Sequence, residues 1–230
     1  MTLGILGGLG PSSTVYFYEM LTSLTKANSD QEHLDIVISS RATTPDRTAY
    51  ILGMSDKNPV IQMTEDAKRL EKFGADVIAI PCNTAHFFYD SIAENVTVPV
   101  LNIISVTTEA VKRSGGKTMG ILATEGTVKS RSYHLAAEKA GLSCITPNDT
   151  EQKIISSIIY DDIKKGKKAD IEKFNFVAES LFSRGADRLI LGCTELSLLC
   201  REHNFDSRFI DSLRSLAEYC IKYCGKSVSD

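Results

Sequence analysis

No apolar run in this chain of 230 residues reaches the roughly eighteen that a membrane-spanning helix needs. No sign of charge dominates: 26 Lys and Arg face 29 Asp and Glu, for a net charge of −3. The basic face that phosphate contacts demand is therefore missing, which argues against a nucleic-acid partner and against a polybasic membrane anchor. The N-terminal MTLGILGGLGP is apolar but lacks a basic leading segment and a small-residue cleavage site. It reads as a buried strand entering a glycine turn rather than as a signal peptide, so a cytoplasmic location is expected. The six cysteines include no Cys-x-x-Cys. Cys220 and Cys224 have no matching His or Cys pair, so neither a metal site nor a disulfide framework is expected.

What is present suffices for a core. Hydrophobic residues make up 43% of the chain, and at this length folding needs no covalent or metal staple. Short apolar runs alternate with longer amphipathic stretches. Strands are expected at Leu3–Leu6, Asp35–Ser39, Asp76–Ile80, Val98–Leu101, Thr118–Leu122, Leu142–Thr146 and Arg188–Leu191, with a last strand-like piece after Ser207. Helices are expected at Pro11 to about Lys26, Pro59–Phe73, Thr84–Glu94, from after Leu101 through Val111, at Val128–Ala140, Glu151–Lys164 and Ala169–Arg184, and at the C-terminus. Alternation of this kind implies right-handed βαβ units and mostly parallel sheets.

The pattern also repeats. Residues 74–85 read GADVIAIPCNTA and residues 185–196 read GADRLILGCTEL, and a Gly-Ile-Leu precedes each at a similar distance, at Gly4 and Gly120. The chain is thus read as an α/β protein of two pseudo-symmetric lobes, each a mostly parallel sheet flanked by helices, with the active site in the cleft between them. Residues 1–114 with 208–230 are assigned to one lobe and 115–207 to the other. A Gly before a buried strand is also a common helix-to-strand turn, but that alone does not explain the two matched cysteines.

Cys82 and Cys193 each close a buried strand where the chain turns into a helix. Ligands in open α/β sheets bind outside those strand ends, so facing lobes put the two thiols on opposite walls of one cleft. Unpaired amides and the dipole at a helix start should favour the thiolate. A disulfide would need the sulfurs in contact and a metal would need more ligands. Two-base proton transfer needs this arrangement: one thiolate takes a proton from a tetrahedral carbon, the other thiol delivers one to the opposite face, and no cofactor is required.

Five motifs in order, GILGGLGP at 4–11, PDRTAYIL at 45–52, PCNTAH at 81–86, IYDDIKKG at 159–166 and LGCTE at 191–195, cover essentially the whole chain. With them the sequence resembles the aspartate/glutamate racemases, amino-acid racemases that use no cofactor, and PDRTAYIL resembles the aspartate branch. The resemblance implies Cys82 and Cys193 as paired acid and base, Arg47 and Lys164 as holders of the substrate carboxylates, and Asn83, Thr84 and Thr194 as polar substrate contacts. It also implies a homodimer acting on a small amino acid. The residues themselves add Glu195, placed to orient the substrate ammonium or a neighbouring side chain. They also add Leu9, Gly10 and Ser12, on a loop whose amides can meet a carboxylate. His86 is either a tuner of Cys82 or a packing group. One departure stands out: Ser40 occupies a position where this branch often has Asn, and Arg41 adds a possible second cation, so aspartate and glutamate both remain open as substrates. Rival readings are a decarboxylase or other isomerase on the same fold and a non-catalytic two-lobed binder. A dinucleotide oxidoreductase fits poorly, because GILGGLGP does not match G-x-G-x-x-G.

Overall fold

From Leu3 onward the first apolar run is buried, as a central parallel strand requires. It forms β1 (Thr2–Gly7) in the computed structural model, which describes residues 1–229. There follow α1 (Pro11–Leu24), β2 (Asp35–Ser40), the short α2 (Arg47–Ile51), α3 (Val60–Phe73), β3 (Val77–Ala79), α4 (Tyr89–Ala93), β4 (Val100–Leu101) and α5 (Ile103–Arg113). The second half repeats the scheme with β5 (Thr118–Leu122), α6 (Glu125–Lys129), α7 (Ser132–Ala140), β6 (Ser143–Ile145), α8 (Asp149–Ser157), α9 (Ile171–Ser183), β7 (Arg188–Leu191), α10 (Thr194–Ser197), β8 (Phe209–Asp211) and α11 (Ser212–Tyr223).

Each half makes one four-stranded parallel sheet, in the orders β2-β1-β3-β4 and β6-β5-β7-β8. This is the α/β architecture of two similar lobes expected from the repeat. The strand order reverses direction between β1 and β3, and again between β5 and β7. Such a switch point leaves a crevice beyond the carboxyl ends of the strands. Pairing of Ile5 with Ala79 sets the loop after β1 beside Cys82, and pairing of Leu122 with Leu191 sets the loop after β5 beside Cys193.

The Gly-Ala-Asp repeat has the same job in both halves. Gly74 and Gly185 lie just beyond α3 and α9 with φ of 105° and 99°. The following Ala75 and Ala186 amides bond back to Leu70 and Leu181 carbonyls at 3.0 Å, closing each helix. Asp76 then accepts from the Thr2 amide at 2.7 Å, and Asp187 from the Lys117 amide at 2.8 Å. Each motif therefore stops a helix and anchors the first strand of its own sheet. The helix-to-strand turn and the duplication are one feature.

A single core cluster runs between the lobes, from Leu3, Ile5 and Phe17 through Tyr133 and Ile190 to Leu216 and Ile221. It is built by crossing helices. α5, which leaves the first sheet, packs on α7; α11, which leaves the second sheet, packs on α1; and α5 and α11 pack on each other. The segment from residue 208 onward, assigned above to the first lobe, is accordingly divided among the described residues, with β8 paired to β7 in the second sheet and α11 lying against α1 and α5. Each fully buried large apolar side chain in this layer contributes roughly 1.5–3 kcal/mol relative to exposure, so the helical layer joins the two sheets firmly. Among the described residues, no helix is long and apolar enough to cross a membrane.

Several expected helices are broken, each for a local reason. The helix expected over Val128–Ala140 is two, α6 and α7, separated at Arg131 with φ of 56°. Thr84–Glu94 opens as a tight 3₁₀ turn, Thr84–Phe88, before α4. Glu151–Lys164 is α-helical only to Ser157. A wide π turn, Ile158–Asp162, and a 3₁₀ turn, Ile163–Lys165, complete it. Irregular turns of that kind recur at functional sites, and this one carries Tyr160 and Lys164.

Candidate active site

Cys82 and Cys193 line one cavity, a small inner chamber. Each thiol comes from the end of a switch-point strand, one from each lobe, and both side chains are buried. Asn83, Thr84 and Thr194 line the same chamber. A larger outer vestibule of about 270 Å³ is lined by Gly8, Gly10 and Ser12 of the first loop, Thr44 and Leu198. Leu9, Asp46, Arg47, Lys164 and Glu195 border both spaces. All eleven residues given a catalytic or substrate-binding role from the sequence thus fall on these two adjoining cavities. Ser40 and Arg41 line neither. Ser40 is exposed, and the Arg41 guanidinium is held 2.7 Å from the buried Asp66 carboxylate, so it adds no second cation to the site.

Arg47 is the most unusual charge in the molecule. Only 8% exposed, it donates through Nη2 to the Leu9 carbonyl at 2.7 Å and through Nη1 to the Pro45 and Thr44 carbonyls at 3.0 and 3.3 Å. Its Nε–H is buried with no partner. Among the described residues, no carboxylate lies within 4.0 Å of it. Asp46, the obvious candidate, instead caps α2 by accepting from the Ala49 amide at 2.7 Å. Of five guanidinium donors, three are bound to neutral carbonyls. Nε–H and one further N–H remain for an anion. A desolvated cation without a counter-ion is costly, and a ligand carboxylate would relieve that cost.

The second cation is already paired. Lys164 Nζ lies 3.8 Å from Glu195 Oε1 and 4.7 Å from the centre of the Tyr160 ring. Desolvation pulls its pKa down, but Glu195, Cys193, Tyr160 and Cys82 outweigh that and hold it above the ordinary lysine value. Across the cleft the Tyr160 hydroxyl donates to Thr48 Oγ1 at 2.9 Å, so this π-turn tyrosine bridges the two lobes over the chamber.

The two thiols have different surroundings. Cys193 donates its S–H to Glu195 Oε2 at 2.9 Å. Burial, then the Glu195 carboxylate, push its pKa well above the ordinary cysteine value, against the opposing pull of Lys164. The thiolate expected at a helix start is therefore overturned for Cys193: α10 is a single four-residue turn, too short for its dipole to outweigh desolvation beside a carboxylate. At the matching position two residues after Cys82 stands Thr84. It shares a ring of buried hydroxyls with Thr124 and Thr127, at 2.9, 2.9 and 3.1 Å.

His86 does not act as a cation beside Cys82. Its Nδ1 donates to the Cys82 carbonyl at 2.9 Å and its Nε2 accepts from the Ile103 amide at 3.1 Å. The ring is neutral, its pKa pushed down to about 4 by burial. This predicts a pH signature. Below the ordinary value of about 6.5 the unfolded chain takes up a proton that the folded ring refuses, so stability falls as pH drops from about 6.5 through 4. Urea unfolding at pH 7 and pH 4.5 should show wild type losing about 2–3 kcal/mol more than His86→Gln over that interval; equal losses would remove the buried neutral ring from the account.

Asp46, Thr48, Thr124 and Tyr160 line the chamber without having been singled out. Thr48 and Tyr160 lie inside PDRTAYIL and IYDDIKKG. Thr124 corresponds, in the repeat, to Gly8 after the first strand, so aligning the two halves gives a signal for it.

Residues 6–220 match the family described as Asp/Glu/hydantoin racemase. An aspartate racemase from Picrophilus torridus superposes with a TM-score of 0.86 at 31% identity, covering 99% of this chain and 96% of its own. An aspartate racemase homologue from Pyrococcus horikoshii OT3 superposes at 0.79 with 25% identity, covering 97% of this chain and 99% of its own. The broad specificity amino-acid racemase RacX of Bacillus subtilis is 29% identical over 223 residues, spanning 95% of this chain and 96% of that protein.

Proposed function

Since the chain belongs to the Asp/Glu/hydantoin racemase family and is an amino-acid racemase, we propose that it inverts the α-carbon of free acidic amino acids, aspartate ahead of glutamate, by proton transfer between Cys82 and Cys193. The observation that carries this reading is the pairing of two thiols, one from each repeat, in one small chamber beside a buried guanidinium that has no carboxylate partner. A substrate carboxylate takes the free Nε–H of Arg47 and its remaining N–H, and Lys164 holds the second carboxylate. The amides after β1, at Leu9, Gly10 and Ser12, and the hydroxyls of Thr84 and Thr194 complete the polar lining.

Cys193, held as a thiol by Glu195, is set as the acid, and Cys82 is then the base. The α C–H bond breaks toward Cys82 sulfur, and its electron pair passes into the α-carboxylate. The Cys193 S–H proton moves to the opposite face of the carbon. The configuration inverts and the sulfurs exchange protonation states. A proton on the α-carbon is far less acidic than a thiol, so the chemistry depends on stabilising the carbanionic transition state, chiefly by the buried Arg47. Glu195 accepts or returns the Cys193 proton, and so allows either enantiomer to start the cycle.

Gly10 makes that contact possible. With φ of 148°, it leaves no room for a side chain: a Cβ there would sit 2.6 Å from Glu195 Oε1. Gly10→Ala is expected to displace the Glu195 carboxylate and to strain the substrate-binding loop, lowering kcat at least about tenfold and raising KM as well. Steady-state kinetics with an unchanged kcat would remove Glu195 from the proton path.

A second reading rests on the vestibule. Its added space, reached past residues that border both cavities, gives room for longer side chains, and one relative of near-equal length is named for broad specificity. In that case Arg47 holds the α-carboxylate, which every amino acid has. Chiral chromatography of aspartate, glutamate, alanine, serine and lysine in deuterated water separates the two. Aspartate should exceed the neutral substrates at least about tenfold in kcat/KM, as expected when a charge-assisted hydrogen bond is lost. Equal rates would favour broad specificity, and no α-deuteration of any of them would defeat racemisation by this route.

A further inference from the structure

The turn that carries Cys82 is gripped from both closing helices. On one side His86 joins the Cys82 carbonyl to Ile103, the first residue of α5. On the other, Asn83 is bound to Ser212, the first residue of α11: Asn83 Nδ2 donates to Ser212 Oγ at 2.9 Å. Ser212 Oγ in turn donates to the Leu191 carbonyl at 2.7 Å. The Tyr133 hydroxyl donates to Asn83 Oδ1 at 2.6 Å. Leu191 ends β7 two residues before Cys193, and Asn83 immediately follows Cys82. One short chain of hydrogen bonds therefore connects the two cysteine-bearing turns across the lobes.

We infer that Ser212 and Tyr133 are positioning residues for the proton transfer, holding Cys82 and Cys193 at the spacing inversion requires. This rests on the two-thiol reading above. Neither residue lines the chamber or the vestibule. The chain is buried: Tyr133, Asn83, Ser212 and Leu191 are at most 2% exposed. Its direction is fixed as well. The Leu191 carbonyl can only accept, so Ser212 donates to it and accepts from the Asn83 amide. Asn83 then presents its oxygen to Tyr133, and no flipped amide satisfies all three contacts. A buried chain with every member satisfied is stiff, because each alternative geometry leaves an unpaired group. Asn83 is thus committed through its side chain to the seam, whatever its backbone offers a substrate.

The consequence is specific to two-base chemistry. When the thiols are in register, a carbanion formed at one is quenched by the other, so loss of the α-proton and inversion proceed together. When the register slips, the carbanion is quenched by the same sulfur that formed it. If that S–H has exchanged with solvent, deuterium enters without inversion. Ser212→Ala breaks the link between the turns. Tyr133→Phe removes only one hydroxyl and keeps the ring that fills the core.

The experiment follows, in deuterated water, the loss of the aspartate α-proton by NMR and the appearance of the opposite enantiomer by chiral chromatography. Ser212→Ala should slow inversion roughly tenfold to a hundredfold with KM within about twofold, the range expected for a small misplacement of reacting groups. Exchange should fall less, so the ratio of exchange to inversion rises at least about threefold over wild type, and more modestly in Tyr133→Phe. Ser212→Thr, which keeps the hydroxyl, should return the ratio toward wild type. A ratio unchanged in Tyr133→Phe and in folded Ser212→Ala, whatever happens to the absolute rates, overturns the inference, since a merely structural role lowers both rates in proportion. If Ser212→Ala does not fold, Tyr133→Phe decides alone. Absence of α-proton exchange in wild type would instead count against the two-thiol reaction itself.

Discussion

Cys193→Ala and Cys82→Ala should each lose aspartate racemisation by at least about a thousandfold, the upper part of the range for removing a positioned acid or base. The double variant should be no slower than either single one, because residues that act as a unit do not contribute additively. The reason lies in the chamber. Inversion needs a proton removed on one face and another delivered on the opposite face, and the lining holds one thiol from each lobe. With Cys193 gone, Cys82 can still take the proton that faces it and return a solvent deuteron to the same face. Exchange should therefore persist for one enantiomer, and in Cys82→Ala for the other. That mirrored pattern is what a single-base racemase or a ligand-binding protein cannot produce. Chiral chromatography and α-proton NMR on both enantiomers check it, with circular dichroism to establish that the variants are folded. Inversion above about a tenth of the wild-type rate in either variant would end the two-base proposal.

Much of the fold was legible because its signals are local. Leu3–Leu6 and Thr118–Leu122 are uninterrupted apolar runs bounded by turn residues, which only buried parallel strands accommodate well. The duplicated Gly-Ala-Asp reports a helix stop and a strand anchor in both halves. Boundaries were lost where tertiary packing overrides periodicity. Nothing in Glu151–Lys164 announces that the helix widens after Ser157, since the apolar spacing of Ile155, Ile158 and Ile159 continues through the change. The short α2 has too few residues to display any period, although Asp46 before it is a recognisable cap.

The residues that line the candidate site could be picked out from the sequence, but not the connections between them. Cys82, Cys193 and Arg47 stand in motifs. The partners that set their chemistry, however, come from distant segments: Leu9 for Arg47, Lys164 for Glu195, Ser212 for Asn83. At Cys193 the helix start favours the thiolate, but a larger effect opposes it. Desolvation beside a carboxylate is visible only once Glu195 is seen to fold back onto the Cys193 sulfur. The repeat even hid this difference, because Thr84 and Glu195 occupy equivalent places with opposite consequences.

Replacing Arg47 should have the other large effect, and it separates binding from folding. Arg47→Met removes the cation and its two uncommitted donors. Hydrogen bonds to charged groups contribute about 1.5–3 kcal/mol each, so the kcat/KM for aspartate should fall by about a thousandfold. The same change leaves the Leu9, Thr44 and Pro45 carbonyls without their donor, while also relieving the protein of an unpaired buried charge. These oppose each other, and unliganded stability should drop by only about 1–3 kcal/mol. Arg47→Lys should recover little, because one ammonium cannot hold three carbonyls and still present a fork to a carboxylate. The discriminating observation uses succinate, a dicarboxylate with no ammonium and no reactive proton. At a hundredfold excess over its Kd it should stabilise wild type by about 2.7 kcal/mol in thermal unfolding. Arg47→Met should show almost none of that gain. Equal stabilisation of both proteins would mean that the buried guanidinium serves the loop alone, and that the anion is held elsewhere, with Lys164 the next group to test.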